Sequence, residues 1–203
     1  MKQASISAAS LWALAGIREP IILASGSPRR ARILKAIGIP FKVAPAGVLE
    51  GDYGRWDGGE ILGERALQKA ECLRRQHPGR AVLAADTIVL VDDQVLGKPA
   101  DAQEARRMLG LLSGREHEVW TAVCYYPPAK QKARTVLSCT KVAFRELDAA
   151  EIEAYIETGE PMDKAGAYGI QGIGGLWVSG IAGCYFNVVG LPLSALWELL
   201  NCK

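Results

Sequence analysis

The segment LASGSPRR (residues 23–30) joins a small-residue turn, a helix start and two arginines. Ser27 is a good helix N-cap, and Pro28 suits the first position of a helix. Backbone N–H groups in the first turn of a helix lack partners within the helix, and they attract anions. Arg29 and Arg30 add planar, bidentate donors for phosphate or carboxylate. The segment therefore predicts an anion site, although the same residue types also occur at ordinary strand–helix junctions with solvated arginines.

A second candidate is Asp86, which lies inside the apolar run AVLAADTIVLV (81–91). The run predicts a central strand that is buried on both faces. A buried carboxylate is costly unless it is paired or binds a metal, so Asp86 is a candidate general base or metal ligand. A purely structural salt bridge or cap is the alternative. Thr87 follows directly, and adjacent strand residues point to opposite faces unless a bulge re-aims one of them.

Three further charged residues, Glu50, Lys69 and Lys98, would each be solvated if considered alone. They bear on function only if the fold gathers them around the anion site. Gln171 lies in the segment PMDKAGAYGIQG (161–172), whose glycines let a backbone approach a ligand closely. Its amide carries both donors and an acceptor, which suits the reading of a nucleobase edge. A glycine-rich turn region without a ligand is the alternative.

The sequence excludes several familiar kinds of site. It contains no Gly-x4-Gly-Lys-Ser/Thr loop, and Gly26 stands alone in its turn, so neither a P-loop nor a dinucleotide-binding fingerprint is present. His117 has no serine or cysteine partner in a recognisable arrangement, and two histidines in all exclude a histidine-rich metal site. Any metal should therefore be hard and oxygen-ligated, such as Mg²⁺ or Mn²⁺. The five cysteines are scattered without a Cys-x-x-Cys pair, which favours reduced thiols over disulfides or zinc.

The size and charge of the chain limit its class. With 203 residues and a net charge of +2, it is long enough for one or two α/β domains and too weakly charged for non-specific nucleic-acid binding. No apolar run is long enough to cross a membrane. The apolar stretch LWALAG (11–16) is short for a signal peptide. We therefore expect residues 1–19 to be an N-terminal extension, with a small helix as one option, on a cytoplasmic protein.

The elements that must position these residues follow from hydrophobic periodicity and from turn signals. Strands are predicted at 21–24, 41–44, 81–91, 94–96, 119–126 and 135–144. Helices are predicted at 28–37, 60–75, 101–112, 148–158 and 192–200, with Asp101 and Asp148 as the caps of the third and fourth. Residues 161–192 are expected to form a long glycine-rich region with short strands. This order predicts a mixed α/β fold in which a long twisted sheet is flanked by helices.

Taken together, these segments resemble the Maf family of nucleoside triphosphate pyrophosphatases over about residues 21–200. The motifs that carry the resemblance occur in the family's order: LASGSPRR (23–30), QKA (68–70), AADTIV (84–89), LGKP (96–99), SGREHEVWTAV (113–123), GEPMDKAGAYGIQG (159–172) and NVVGLPL (187–193). The resemblance implies a two-lobed architecture with a central cleft, like that of inosine triphosphatases. It also implies a single catalytic domain over residues 20–203 and a homodimer as a possible assembly.

The same resemblance implies hydrolysis of a nucleoside triphosphate between its α and β phosphates, which releases the monophosphate and pyrophosphate. The form KAGAYGIQG (164–172) is similar to the subgroup that acts on dTTP and UTP, whereas a sister subgroup acts on 7-methyl-GTP. Asp86 matches the family's proton acceptor, and Glu50 and Asp86 would hold Mg²⁺ or Mn²⁺ against the phosphates. The residues at positions linked to substrate choice are Arg29, Thr87 and Gln171. The other matching pocket residues are Ser25, Arg30, Glu50, Lys69 and Lys98.

The chain departs from the family at two positions. Leu49-Glu50 stands where an acidic pair is common, and Gly97 stands where some members carry glutamate. Both differences bear on how a metal would be coordinated. Two alternatives to the dTTP/UTP activity stay open. One is a pyrophosphatase for a broader or modified set of nucleotides, and the other is a non-catalytic nucleotide-binding regulator of cell division, which would not need an embedded Asp86.

Overall fold

The computed structural model describes residues 12, 13, 15–48, 53–128 and 132–201. The strands are β1 (Ile21–Leu23), β2 (Phe41–Val43), β3 (Val82–Val91), β4 (Gln94–Leu96), β5 (Glu116–Tyr126), β6 (Arg134–Phe144) and β7 (Val178–Ala182). The helices are α1 (Pro28–Ala36), α2 (Glu60–Gln76), α3 (Ala102–Leu112), α4 (Ala149–Glu157), α5 (Tyr185–Val189) and α6 (Leu193–Asn201). They confirm the predicted mixed α/β class, with one sheet flanked by helices.

The sheet has the order β2-β1-β3-β5-β6-β7, and β4 pairs with β3 outside this path. Strand β1 is parallel to both β2 and β3, whereas the pairs β3–β5, β5–β6 and β6–β7 are antiparallel. The short parallel part and the long antiparallel part therefore meet at β3. Ligands commonly bind at the carboxyl ends of parallel strands, where such a change in topology leaves a crevice.

One edge of β3 is left open between two short partners. Strand β1 reaches only as far as the pair Leu23↔Leu83, and β4 begins to pair at Val89↔Leu96. The opposite edge of β3 is paired with β5 from Val82 to Leu90. In the described part of the chain, Asp86 and Thr87 therefore lie on a stretch of strand edge that no other strand covers.

The two faces of β3 pack against different helices, as expected for a central strand. Leu83 and Ala85 belong to a core cluster with side chains of α1 and α6. Ala84 and Ile88 belong to a second cluster with the apolar face of α2. A third cluster joins the distal end of β3 to α3 and α4. Residues 86 and 87 thus alternate between two separately packed faces.

The start of α1 has the predicted position but a different hydrogen bond. Ser27 is the N-cap residue and Pro28 opens the helix, yet the Ser27 side chain makes no capping bond. Its backbone N–H instead donates to Oγ of Ser25 at 3.2 Å. The predicted caps of α3 and α4 do form: Asp101 accepts from the Glu104 N–H and Asp148 from the Ala150 N–H.

The glycine-rich region is only partly as predicted. It holds one strand, β7, where the sequence predicts several short strands. It also holds three short 3₁₀ turns, at Glu160–Asp163, Ala165–Ala167 and Ile173–Trp177, and the helix α5. Positive φ angles occur at Gly159 (73°), directly before the first of these turns, and at Gly166 (68°), inside the second. Residues with side chains rarely adopt such angles.

The described part of the predicted extension packs onto the domain. The Trp12 ring meets Trp197 of α6 edge-on at 6.3 Å, and its Nε1 donates to the carbonyl of Ile37 at 3.2 Å. Ile17 and Trp12 belong to the core cluster that Leu83 and Ala85 form with α1 and α6. Among the helices that the structure describes, no helix combines the length and the apolar character needed to cross a membrane.

Candidate functional site

A cleft of about 1010 Å³ opens at the uncovered edge of β3. It is bordered by the turn after β1, the start of α1, the middle of β3, the residues after β4 and the segment 160–172. Sites that enclose small organic ligands typically measure roughly 300–1,000 Å³. The cleft is therefore large enough for a ligand well beyond a single phosphate.

The cleft gathers nearly all of the residues that the sequence predicts for a site. Its lining includes Ser25, Arg29, Arg30, Lys69, Asp86, Thr87, Lys98 and Gln171. Glu50 lies outside the described residues, so its predicted role as a metal ligand stays a prediction. Lys98 and Gln171 are the exposed members of the set and lie toward solvent. The sequence separation among these residues shows that the fold, and not any one motif, builds the cleft.

Asp86 lies in the cleft with each carboxylate oxygen engaged. Lys69 Nζ donates to Oδ1 at 2.6 Å, and the Tyr53 hydroxyl donates to Oδ2 at 2.8 Å. Asp86 and Lys69 are 4% and 8% exposed, so the pair is shielded from solvent. Carboxylate oxygens have further lone pairs, so these contacts orient the group and still leave it able to accept from a water.

Tyr53 is a residue that the sequence interpretation missed. Its ring carries the Arg65 guanidinium 4.1 Å above it, which holds the ring over α2. Its position in a glycine- and aspartate-rich loop, close in sequence to Glu50, was the available signal. An aromatic side chain is uncommon in such a loop unless it packs against something.

Thr87 points to the other face of β3, as the strand alternation predicts. Its Oγ1 accepts from Arg30 Nη2 at 2.9 Å and lies 3.0 Å from Oγ1 of Thr121 on β5. Thr121 in turn donates to the Asn187 carbonyl at 3.2 Å. Because β1 stops short, Asp86 and Thr87 both border the cleft although they leave β3 on opposite faces.

Arg30 is buried, and it connects three parts of the chain by hydrogen bonds as well as contributing a positive charge. Its Nε donates to the Gly190 carbonyl at 2.7 Å and its Nη1 to Ser25 Oγ at 3.0 Å, in addition to the Thr87 contact. The fork geometry of a guanidinium allows these three directions at once. Arg30 therefore ties the turn after β1 to β3 and to residue 190, and its positive charge supports the anion site from behind.

Arg29, next in sequence, reaches across the cleft. Its Nη1 donates to Asp163 Oδ2 at 2.9 Å and its Nη2 to the Asp163 carbonyl at 3.2 Å. Lys164 Nζ also donates to Asp163, at 2.6 Å. Burial would raise the pKa of Asp163, but the hydrogen bonds from Lys164 and Arg29 outweigh it and lower that pKa. Asp163 stays ionised and joins the two walls of the cleft.

The charge of the lining favours an anionic ligand. Among the described residues, six cationic side chains line the cleft: Arg29, Arg30, Arg32, Lys69, Lys98 and Lys164. Four acidic ones accompany them: Asp86, Glu104, Glu160 and Asp163. The first-turn N–H groups of α1 add partial positive charge at the same place.

The described residues fit a divalent cation only in a limited way. In the described ranges, no group of three or more His, Cys, Asp or Glu side chains gathers at one point. Mg²⁺ is usually bound by one or two carboxylates together with substrate phosphates and water. Asp86 is a suitable oxygen donor for such a cation, which would need phosphate oxygens to complete its coordination.

His117 is buried and is not among the described residues that line the cleft. Its Nε2 lies 2.8 Å from the hydroxyl of Tyr168, and its ring packs edge-on against Phe144. Burial lowers the pKa of His117 to about 4, so the imidazole is neutral at pH 7. Its contact with Tyr168, which lines the cleft, gives it a packing role.

Comparison with known proteins adds a family and named relatives. The family described as Maf-like protein matches residues 20–202. A dTTP/UTP pyrophosphatase of Halalkalibacterium halodurans is 46% identical over 87% of this chain and 92% of its own. One of Symbiobacterium thermophilum is 47% identical over 90% and 93%. Among solved structures, the Staphylococcus aureus Ham1 protein covers 62% of this chain and 72% of its own, with 16% identity and a TM-score of 0.44.

Proposed function

The chain belongs to the Maf family, and we propose that it hydrolyses nucleoside triphosphates, above all dTTP and UTP, to the monophosphate and pyrophosphate. The observation that carries this proposal is the position of Asp86. A carboxylate held by Lys69 and Tyr53 borders a cationic cleft at the point where the turn after β1 leads into α1.

The triphosphate would lie along the cationic side of the cleft. Backbone N–H groups of Ser25, Gly26 and the first turn of α1 would hold phosphate oxygens, because the Ser27 N–H already donates to Ser25 Oγ. Arg29 and Lys98 would neutralise charge from the two walls, with Arg30 behind the turn. This places the phosphates beside β3, where Asp86 is found.

The chemical step needs a base and a leaving group. Asp86 would accept a proton from a water that attacks the α phosphorus, and the bond from that phosphorus to the bridging oxygen would break. Pyrophosphate leaves, and the nucleoside monophosphate keeps the oxygen of the water. General-base assistance of this kind typically contributes about 10²–10⁴-fold. Lys69 and Tyr53 hold the Asp86 carboxylate in place for that transfer.

Mg²⁺ or Mn²⁺ is the cofactor we propose. Asp86 would be a ligand, together with Glu50. When bound, the cation would neutralise phosphate charge and polarise the reacting phosphoryl group. The requirement can be checked by removing divalent cations with EDTA and restoring each of them in turn.

We propose that Gln171, on the far wall of the cleft, selects the base. Uracil and thymine both offer a carbonyl acceptor at O4 and a donor at N3, and one amide can bind the two together. A glutamine amide can also rotate by half a turn and exchange its donor and acceptor. Its preference for uracil over cytosine therefore depends on how firmly the chain around it is held.

A homodimer is the assembly we propose. β7 forms one edge of the described sheet, and Ile181 on it is 40% exposed. Tyr185 and Phe186, which follow at the start of α5, are also exposed. An open strand edge with exposed apolar side chains favours association. Sedimentation velocity over a range of protein concentrations would measure the assembly.

The experiment that tests the function uses purified protein and a panel of dTTP, UTP, CTP, GTP and 7-methyl-GTP, with separate detection of phosphate and pyrophosphate. We expect pyrophosphate and monophosphate, formed fastest from dTTP and UTP. Comparable rates across the panel, or a preference for 7-methyl-GTP, would favour the broader or modified-nucleotide activity. Binding of nucleotides without turnover, with either cation, would favour the regulator.

A further inference from the structure

The segment around Gln171 is held by hydrogen bonds to one acidic side chain, Glu160. The backbone N–H of Ile173 donates to Glu160 Oε2 at 3.1 Å. The Tyr155 hydroxyl donates to Glu160 Oε1 at 2.9 Å, and it accepts from the backbone N–H of Gly169 at 3.1 Å. The segment is therefore held on both sides of Gln171, directly by Glu160 and through Tyr155.

The glycines of this segment make room for the same pair of side chains. A Cβ on Gly172 would overlap both carboxylate oxygens of Glu160. A Cβ on Gly174 would lie 3.0 Å from the Tyr155 hydroxyl. The φ angle of Gly172 is −116°, which any residue can adopt, so its small size and not its backbone freedom is required. The backbone thus approaches the Tyr155–Glu160 pair closely.

The pair is itself fixed to the core. Tyr155 is 2% exposed, and its ring packs edge-on against Trp177 at 4.7 Å. Burial raises the pKa of the Tyr155 phenol, and its hydrogen bond to Glu160 raises it further. The phenol therefore stays protonated and remains a donor to Glu160. A loop that is tied to such a support is held more precisely than one that rests on solvated side chains.

We propose that Glu160 and Tyr155 are positioning residues for base selection. They fix residues 169–174 and so hold the Gln171 amide in the orientation that distinguishes uracil from cytosine. The proposal rests on the proposed function, because it assigns a determinant of substrate choice to the same cleft. Both side chains act through the segment.

The test compares Glu160→Gln and Tyr155→Phe with wild type. Glu157→Gln is the matched control, because Glu157 is exposed at the end of the same helix as Tyr155. Calorimetry measures binding of the α,β-methylene analogues of UTP and CTP, which cannot be cleaved between the α and β phosphates. Hydrogen exchange followed by mass spectrometry measures protection of residues 169–174. Steady-state kinetics with UTP gives kcat and KM.

We expect the two variants to bind the UTP analogue about tenfold more weakly, the effect of losing one or two neutral hydrogen bonds between the Gln171 amide and the base. Binding of the CTP analogue should change less than about threefold, so that the preference falls. Exchange in 169–174 should rise, KM for UTP should rise with little change in kcat, and the control should match wild type. Gly172→Ala, whose Cβ would displace the Glu160 carboxylate, should reproduce the same loss of preference in a folded protein.

Equal weakening of both analogues, or faster exchange with an unchanged preference, would overturn the proposal. So would a loss of kcat with an unchanged KM. The failure of the proposed function has a different signature: wild type would bind the UTP analogue yet release no pyrophosphate from UTP. If wild type binds neither analogue, the function and the positioning role are both wrong.

Discussion

Lys69 Nζ lies 2.6 Å from Oδ1 of Asp86, and both side chains are nearly buried. Lys69 comes from α2 and Asp86 from β3, so the pair also joins a helix to the central strand. Buried charges are costly when a partner is removed, because the remaining charge has lost its water and its counter-ion. The pair is therefore both a structural contact and the setting of the proposed base.

Replacing Lys69 by Met should leave the Asp86 carboxylate unpaired and lower the free energy of unfolding by about 3 kcal/mol. The double variant Lys69→Met/Asp86→Leu should recover most of that loss, because no buried charge remains. Urea denaturation of wild type and the two variants measures this. A single variant as stable as wild type would mean that the pair is not buried in solution.

The lowered pKa of His117 should make the free energy of unfolding depend on pH. Burial lowers its pKa to about 4 from an ordinary value of 6.5, so at intermediate pH the unfolded chain binds a proton that the native state does not. The neutral, buried His117 therefore does not lower the free energy of unfolding above about pH 6.5. That free energy falls as the pH decreases from 6.5 toward 4.

Between pH 7 and pH 4, wild type should lose about 3 kcal/mol more unfolding free energy than His117→Gln, which cannot be protonated in this range. Urea titrations at several pH values give both curves. Parallel curves for the two proteins would show that His117 does not titrate abnormally.

Arg30→Lys should reduce kcat/KM for UTP about tenfold or more, although the charge is kept. A lysine ammonium cannot reach Gly190, Ser25 and Thr87 together, so the turn after β1 loses its support. Arg106→Lys is the matched control, since Arg106 pairs with Glu153 on the surface away from the cleft. Equal activity of the two variants would assign no special role to the guanidinium fork.

Gln171→Ala should reduce the selectivity for uracil and thymine nucleotides, and it should change the metal concentration needed for activity much less. We expect kcat/KM for UTP and dTTP to fall about tenfold and that for CTP to change little, because only the uracil and thymine pattern is read by the amide. The concentration of Mg²⁺ or Mn²⁺ that gives half-maximal rate should stay the same. A uniform loss across nucleotides would count against this assignment.

Local signals in the sequence predict several parts of the site. The turn after β1, the start of α1 and the caps at Asp101 and Asp148 depend on residues within one helical turn. Asp86 is predicted to be a functional residue because a carboxylate inside an apolar strand is costly. These features need no knowledge of the rest of the fold.

The different roles of Arg29 and Arg30 also have a local cause. Arg30 precedes Ile33 and Leu34 by three and four residues, which places it on the buried stripe of α1. Arg29 is one residue off that stripe and therefore faces the cleft. Helical periodicity is thus sufficient to distinguish the buried Arg30 from the more exposed Arg29.

Long-range partners could not be obtained from the sequence. Glu160 and Tyr155 meet residues 169–174 because of 3₁₀ turns whose order the glycine-rich composition does not reveal. The same turns replace most of the short strands that the sequence predicts in this region. Glycine density indicates close packing, but it does not indicate which side chains the backbone approaches.

The central claim is that Asp86 is the general base of pyrophosphate release, and one comparison tests it directly. Pyrophosphate formed from UTP is measured for wild type, Asp86→Asn and the control Asp93→Asn. Asp93 lies in the exposed turn after β3 with a φ of 61°, which asparagine tolerates. The account predicts a loss of at least about 10²-fold in kcat for Asp86→Asn and no change for the control. Pyrophosphate release by a folded Asp86→Asn protein at the wild-type rate would contradict it.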